Sequence, residues 1–229
     1  MIEFNPFISF LVTTKNGTNQ LKDLLQCIEK YIDGNECIIL DDNSDNVETI
    51  KILKECDVTN KDKNKDFYVY KHALNNHYSD HKNYGKSLCE GRYIFQIDDD
   101  ELPSDTLMEN LKTIIDANPD VECFLIPRIN DFVGVTQEHA NHWGWRLTPY
   151  KDRMIINFPD YQFRLFKNLP HLKWERPLHE KVEGAKVTTR LPAEYDLSLL
   201  HTKTIEKQVA TNLRYNKDFS EDLNKGFKI

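Results

Sequence analysis

The sequence predicts an α/β fold, a parallel-rich sheet covered by helices on both faces, and three observations lead there. Apolar runs rich in β-formers alternate with segments of helical periodicity over about the first 130 residues. Two of those runs, in "CIILDD" and "YIFQIDDDE", end in clustered acids, as strands do when they deliver side chains to a crevice. The 229 residues, 39% of them hydrophobic, suffice for one sizeable core.

The elements follow in order. "PFISFLVTT" reads as a strand, and Leu21, Leu24, Leu25, Ile28 and Ile32 then share one helical face. "NECIILDDNS" is a second strand ending in Asp41 and Asp42, after which Ser44 or Asp45 can cap a helix carrying Val47, Ile50 and Leu53. The mixed-charge stretch "TNKDKNKD" reads as a solvated loop leading to the strand "FYVYKHA". A helix from about His77 to Glu90 precedes the strand "GRYIFQI". Beyond the acids, Pro103 suits a first helical turn, and Leu107, Leu111, Ile114 and Ile115 keep helical spacing as far as Asn118 and Pro119. "VECFLIPRI" is expected to be one further strand.

From Asn130 to about Tyr150 the chain is aromatic and without a clear period. Strand-like pieces, "YQFRLFKN" and "KVTTRLPAEYDLSLLH", then flank "LKWERPLHEKVEG". A last helix is expected from about Thr204 to Leu223, where Ile205, Val209 and Leu213 suit packing on the domain better than a membrane foot. Without a linker or repeat, residues 131–229 read as a subdomain appended within the same globular unit.

Composition narrows the function. A net charge of −7 and a pI near 5.6 argue against a nucleic-acid-binding surface. No apolar run approaches the roughly 20 residues of a membrane span, and "MIEFNPFISF" lacks the basic flank and cleavage site of a signal peptide. The expected location is cytoplasmic. Five cysteines, scattered singly, suggest neither a disulfide framework nor a zinc site.

The acids carry the chemistry. Crowding Asp98, Asp99, Asp100 and Glu101 together requires a cation or a hydrogen-bond network to offset repulsion and desolvation. Alternate side chains of an extended segment share a face, so Asp98 and Asp100 can point the same way while Asp99 turns aside. Helix capping would need one carboxylate rather than four.

In order along the chain, "ISFLVTTKNGTNQLKDLL", "CIILDDNSDN", "HKNYGKSLCEGRYIFQIDDDE" and "ERPLHEKV" resemble the blocks of family 2 glycosyltransferases. The resemblance implies a GT-A fold, a Rossmann-like mixed sheet flanked by helices. Residues 1–130 would bind the donor, and residues 131–229 would form the acceptor side. It further implies an inverting, metal-dependent transfer from a nucleotide-diphosphate sugar, UDP-linked more readily than GDP-linked, with Mn²⁺ or Mg²⁺ as cofactor. Acceptors in such a reading are glycans, lipid-linked sugars or proteins.

The same resemblance suggests residue roles. Asp98-Asp99-Asp100 would be the Asp-x-Asp motif of the donor site, with Asp100 on the metal and Asp98 on the donor ribose or a metal-bound water. Asp42 would read the nucleotide base, with Thr13 and Thr14 lining its pocket, and Lys82 would offset phosphate charge. Glu180 resembles the general base, with His179 orienting it or touching the sugar. His201 resembles a late histidine that meets metal or diphosphate, and Trp143, Trp145 and Trp174 could stack on sugar rings.

Plainer readings stay open for each. Asp42 could cap a helix, Lys82 could be exposed, Glu180 could pair with Lys181 or Arg176, and His201 and the tryptophans could be structural. Among other functions, a sugar-1-phosphate nucleotidyltransferase would be expected to have a glycine-rich basic loop, whereas "TTKNGTNQ" holds one glycine and one lysine. A calcium loop of the EF-hand type fails at Leu102 and Pro103, while a non-catalytic nucleotide-sugar-binding relative remains an alternative.

Overall fold

A computed structural model describes residues 6–57, 66–220 and 222–223. Most of the mixed-charge stretch and the tail beyond residue 223 lie outside these. The first half follows the expected alternation: β1 (Ile8–Thr14), α1 (Asn19–Glu29), β2 (Glu36–Asp41), α2 (Val47–Cys56), β3 (Phe67–Lys71), α3 (Tyr78–Leu88) and β4 (Tyr93–Asp98). Strands β1, β2 and β4 are apolar on both faces because helices cover both sides, and the four strands run parallel in the order β3-β2-β1-β4. β1 therefore has β2 on one side and β4 on the other, with Thr14 in register with Asp41 and Thr13 with Asp98. Both acid-terminated strands thus end beside β1, at the carboxyl edge where the order of strands switches.

Several boundaries differ from expectation: the last helix ends at Asp218 rather than near Leu223, with Leu213 exposed instead of packed on the domain, and three more lie earlier in the chain. The cap of α2 is Asn46, whose Oδ1 accepts from the Glu48 and Thr49 amides at 2.9 and 3.1 Å; Ser44 Oγ instead accepts from the Asn16 amide at 2.8 Å. Pro103 lies in a short strand, β5 (Glu101–Pro103), and α4 (Asp105–Ala117) is capped by Ser104, whose Oγ accepts from the Leu107 amide at 3.1 Å. None of the four clustered acids is that cap. "VECFLIPRI" breaks at Pro127, which has no N–H for a ladder, into β6 (Cys123–Ile126) and β7 (Arg128–Val133) in different sheets.

The remaining elements are α5 (Gln137–Trp143), β8 (Leu147–Tyr150), β9 (Arg153–Ile156), β10 (Gln162–Lys167), β11 (Lys173–Glu175), β12 (Lys181–Glu183), β13 (Thr188–Arg190), β14 (Leu199–Thr204) and α6 (Ile205–Asp218). The main sheet has the order β13-β6-β10-β4-β1-β2-β3, with β10 antiparallel to both neighbours. The later half of the chain therefore completes the first sheet. A second sheet, β5-β14-β7-β9-β8, sets His201 of β14 opposite Glu101 of β5 and Asn130 of β7. The core packs Phe10, Phe95 and Ile97 of the main sheet against Leu24 and Ile28 of α1 and Leu107 and Leu111 of α4. Among the described residues no helix is long and apolar enough to cross a membrane.

Candidate active site

At the ends of β1 and β2, Asp42 is fixed by the backbone rather than by a helix. Its amide donates to Thr14 O at 2.9 Å and its Oδ1 accepts from the Leu74 amide at 2.8 Å. Lys15 Nζ donates to Asp42 O at 2.5 Å and lies 3.7 Å from Oδ2. The Asp42 side chain stays partly exposed, whereas Asp41 is buried, its Oδ1 accepting from the Ser44 amide at 2.9 Å to shape the turn.

His81 of α3 packs behind this pocket, its Nδ1 3.1 Å from His72 Nδ1. Burial, then the His72 ring, pushes His81 down from 6.5 to about 4. The folded state thus holds His81 neutral, so its share of stability is complete above pH 6.5 and is lost as pH falls toward 4, about 3 kcal/mol in all. In urea unfolding, wild type should lose that much relative to His81→Asn between pH 7 and pH 4. A pH-independent difference between the two proteins would refute the assignment.

The four clustered acids have separate fates. Asp98 is saturated with donors: Thr13 Oγ1 and Gln96 Nε2 at 2.8 Å and Lys82 Nζ at 3.2 Å reach Oδ1, and Arg164 Nη2 reaches Oδ2 at 2.6 Å. Burial works to raise its pKa, but Arg164 and Lys82 outweigh it and hold the carboxyl well below the usual range. Asp98 thus links Arg164 and Lys82 while its side chain stays 31% exposed at the site.

Glu101, its side chain fully buried, accepts from Arg164 Nη2 at 2.6 Å and Arg128 Nη1 at 2.9 Å. Arg128 continues to Asp160 Oδ2, 2.6 Å from its Nη2. Two arginines that the sequence reading did not single out therefore neutralise half of the acidic cluster. The available signal was Arg164 itself, a charge set between Phe163 and Leu165 inside a strand pattern.

Among the described residues, Asp99 and Asp100 have no arginine or lysine side chain at hydrogen-bond distance. Asp99 Oδ2 accepts from Thr14 Oγ1 at 2.6 Å, and a Cβ at Gly17 would meet that oxygen at 2.3 Å, so any side chain there would have to displace the Asp99 carboxylate. Burial, with Asp100 and Asp98 nearby and despite the Thr14 hydrogen bond, raises Asp99 to about 7.

Asp100 Oδ2 lies 3.4 Å from His201 Nε2. The tautomer follows from the neighbours: Asn130 Nδ2 donates to Asp160 Oδ2 at 2.9 Å and Ile156 O at 3.3 Å, so its Oδ1, 2.7 Å from His201 Nδ1, faces a ring N–H. Nε2 is left with its lone pair toward Asp100. Burial, then the charge on Arg128, lowers the pKa of His201 against the opposing pull of Asp100, which favours the neutral imidazole that binds metal. The Asp100–His201 pair offers one oxygen and one nitrogen ligand; among the described residues no three such side chains converge.

Glu180 sits between β11 and β12, and its Oε1 accepts from Lys82 Nζ at 2.6 Å. Lys82 is 2% exposed and also donates to Gln96 Oε1 at 3.1 Å, so with Asp98 its three N–H groups are all used. It is neither an exposed helix residue nor free for a phosphate, and the partner of Glu180 is neither Lys181 nor Arg176. Trp174 is a core residue, 2% exposed and edge-on to Phe166 at 4.9 Å, with no face left for a sugar. Trp143 and Trp145 pack 4.5 Å apart; Trp145 meets Phe132, which meets His201 edge-on at 5.4 Å, so this pair borders the Asp100–His201 end. The His179 ring, beside Glu180 in sequence, faces Tyr215 at 6.3 Å.

Comparison with known proteins bears on the family and the fold. The sequence profile described as Glycosyl transferase family 2 matches residues 9–173. The crystal structure of S. aureus TarS 1-349 in complex with UDP-GlcNAc superposes with a TM-score of 0.59 at 14% identity, covering 86% of this chain. The chain spans 58% of that TarS fragment. The same fragment in complex with UDP gives a TM-score of 0.58 at 14% identity, with 94% of this chain and 68% of the other covered. No curated protein matches by sequence.

Proposed function

Because the chain belongs to glycosyl transferase family 2 and has a GT-A fold, we propose that it is an inverting transferase moving a sugar from a nucleotide-diphosphate sugar to an acceptor hydroxyl. The observation that carries this reading is that Asp98 connects to two functional groups: the Asp100–His201 pair, two residues along the chain, and Glu180, joined to it through Lys82. TarS is seen with UDP and UDP-GlcNAc, which favours a uridine donor over a guanosine one.

Asp100 Oδ2 and His201 Nε2 would hold Mn²⁺ or Mg²⁺, the remaining positions falling to phosphate oxygens and water. Bound there, the ion supplies counter-charge to the departing diphosphate. Asp42, partly exposed and held by Leu74, accepts the imide N–H of the base. Glu180 takes the proton of the acceptor hydroxyl, whose oxygen attacks the anomeric carbon as the bond to the diphosphate breaks, inverting the centre. Trp143, Trp145 and His179 form the acceptor side, which suits a glycan, a lipid-linked sugar or a glycosylated protein.

Calorimetry tests the metal role. Binding of UDP or GDP should weaken at least about 10-fold when Mn²⁺ and Mg²⁺ are chelated, and Asp100→Asn should reproduce that loss with metal present. Equal affinity with and without metal for every nucleotide would end it.

A further inference from the structure

Helix α6 carries polar side chains on its inner face that the fold does not explain. Ile205, Gln208, Asn212 and Tyr215 recur at helical spacing, and the first three are buried, Asn212 to 1% exposure. At one end of this face, α6 continues directly from the His201 strand, and the charge of Lys207 reaches Asp99. At the other end, Tyr215 Oη is 3.3 Å from Tyr78 Oη and its ring meets His179, the neighbour of Glu180. Along the helix, Gln208 and Asn212 therefore lie between the turn whose Lys207 acts on Asp99 and the turn whose Tyr215 meets His179, the neighbour of Glu180.

Gln208 Nε2 donates to Asn212 Oδ1 at 2.8 Å, which fixes the orientation of the Asn212 amide. Asn212 Nδ2 is buried without a hydrogen-bond partner among the described residues. Buried amide N–H groups are nearly always satisfied, and an aliphatic residue here would cover Ile205 and Tyr215 without leaving a donor unpaired.

We propose that Asn212, oriented by Gln208, is a sugar-recognition subsite whose Nδ2 donates to a hydroxyl or acyl oxygen of the sugar being transferred. This rests on the donor reading above. The bare nucleoside diphosphate does not extend into the subsite; the sugar does.

The test is calorimetry on the full chain with Mn²⁺, using UDP, UDP-GlcNAc, UDP-glucose, GDP and GDP-mannose. Asn212→Leu should leave UDP and GDP affinity unchanged and weaken the preferred sugar nucleotide by about 5–10-fold. The pair Gln208→Leu with Asn212→Leu, which removes donor and acceptor together, should show the same selective loss while melting like wild type. Unchanged sugar-nucleotide affinity in both variants, or an equal loss for the bare diphosphates, would overturn the proposal. So would a wild-type protein that binds its bare diphosphate as tightly as every sugar nucleotide, an outcome that leaves the donor reading standing. If no nucleotide binds wild type at all, the donor reading falls and the subsite with it.

Discussion

Glu180→Gln should lower turnover by about 10²-fold or more while leaving donor affinity nearly unchanged. The substitution is narrow because glutamine keeps an oxygen that can accept from Lys82 Nζ, now 2.6 Å from Glu180 Oε1, so the local packing survives and only proton affinity is lost. Glu180 pairs with Lys82, whereas Asp100 pairs with His201, so the nucleotide should bind as before. Asp100→Asn should behave differently, weakening donor binding and turnover together, since the diphosphate loses counter-charge before and during departure. Steady-state rates with a verified acceptor, set beside calorimetric affinities, separate the two patterns. A fully active Glu180→Gln would move the base elsewhere, and Asp160, held by Arg128 and Asn130, would be a poor substitute.

Arg164→Met should destabilise the protein by about 3–5 kcal/mol, the range for leaving a buried charge without its partner. Arg164 is buried, and its guanidinium donates to Gln96, Asp98 and Glu101. Methionine fills much of the space but leaves two carboxylates without their shared cation. Arg153→Met is the contrast: Arg153 is about half exposed, and even its pairing with the buried Asp131 is open to solvent, so a loss nearer 1 kcal/mol is expected. Urea unfolding of both variants at neutral pH decides the matter. A loss below about 1 kcal/mol for Arg164→Met would mean that Lys82 and Arg128 alone compensate Asp98 and Glu101.

The two predictions mark how far the sequence could be read. β1, β2 and β4, with α1, were legible because their apolar positions repeat, and the acidic ends of β2 and β4 locate the crevice. Asp42, Asp100, Glu180 and His201 were legible as candidates through spacing and resemblance. What compensates the acids was not. Lys82, Arg128 and Arg164 sit in short or weakly amphipathic segments where a charge normally faces water, and only tertiary pairing turns them inward. The same holds for β10, whose place between β4 and β6 depends on partners far along the chain. Pro127 could have announced the break between β6 and β7, since it cannot donate within a ladder.

The insertion of β10 also bears on how the chain can be made and divided. β4 pairs through Leu165, Phe166 and Lys167, and the guanidinium that neutralises Asp98 and Glu101 arrives on the same strand. Until residue 167 has left the ribosome, the growing chain holds a sheet with one unpaired edge and two acids lacking Arg164. A fragment ending at residue 130 would retain every strand that carries Thr13, Asp42 and Asp100 yet keep that open edge. The first half is thus not a detachable module: it should be prone to aggregate when expressed alone and gain its order only when the second half closes the sheet.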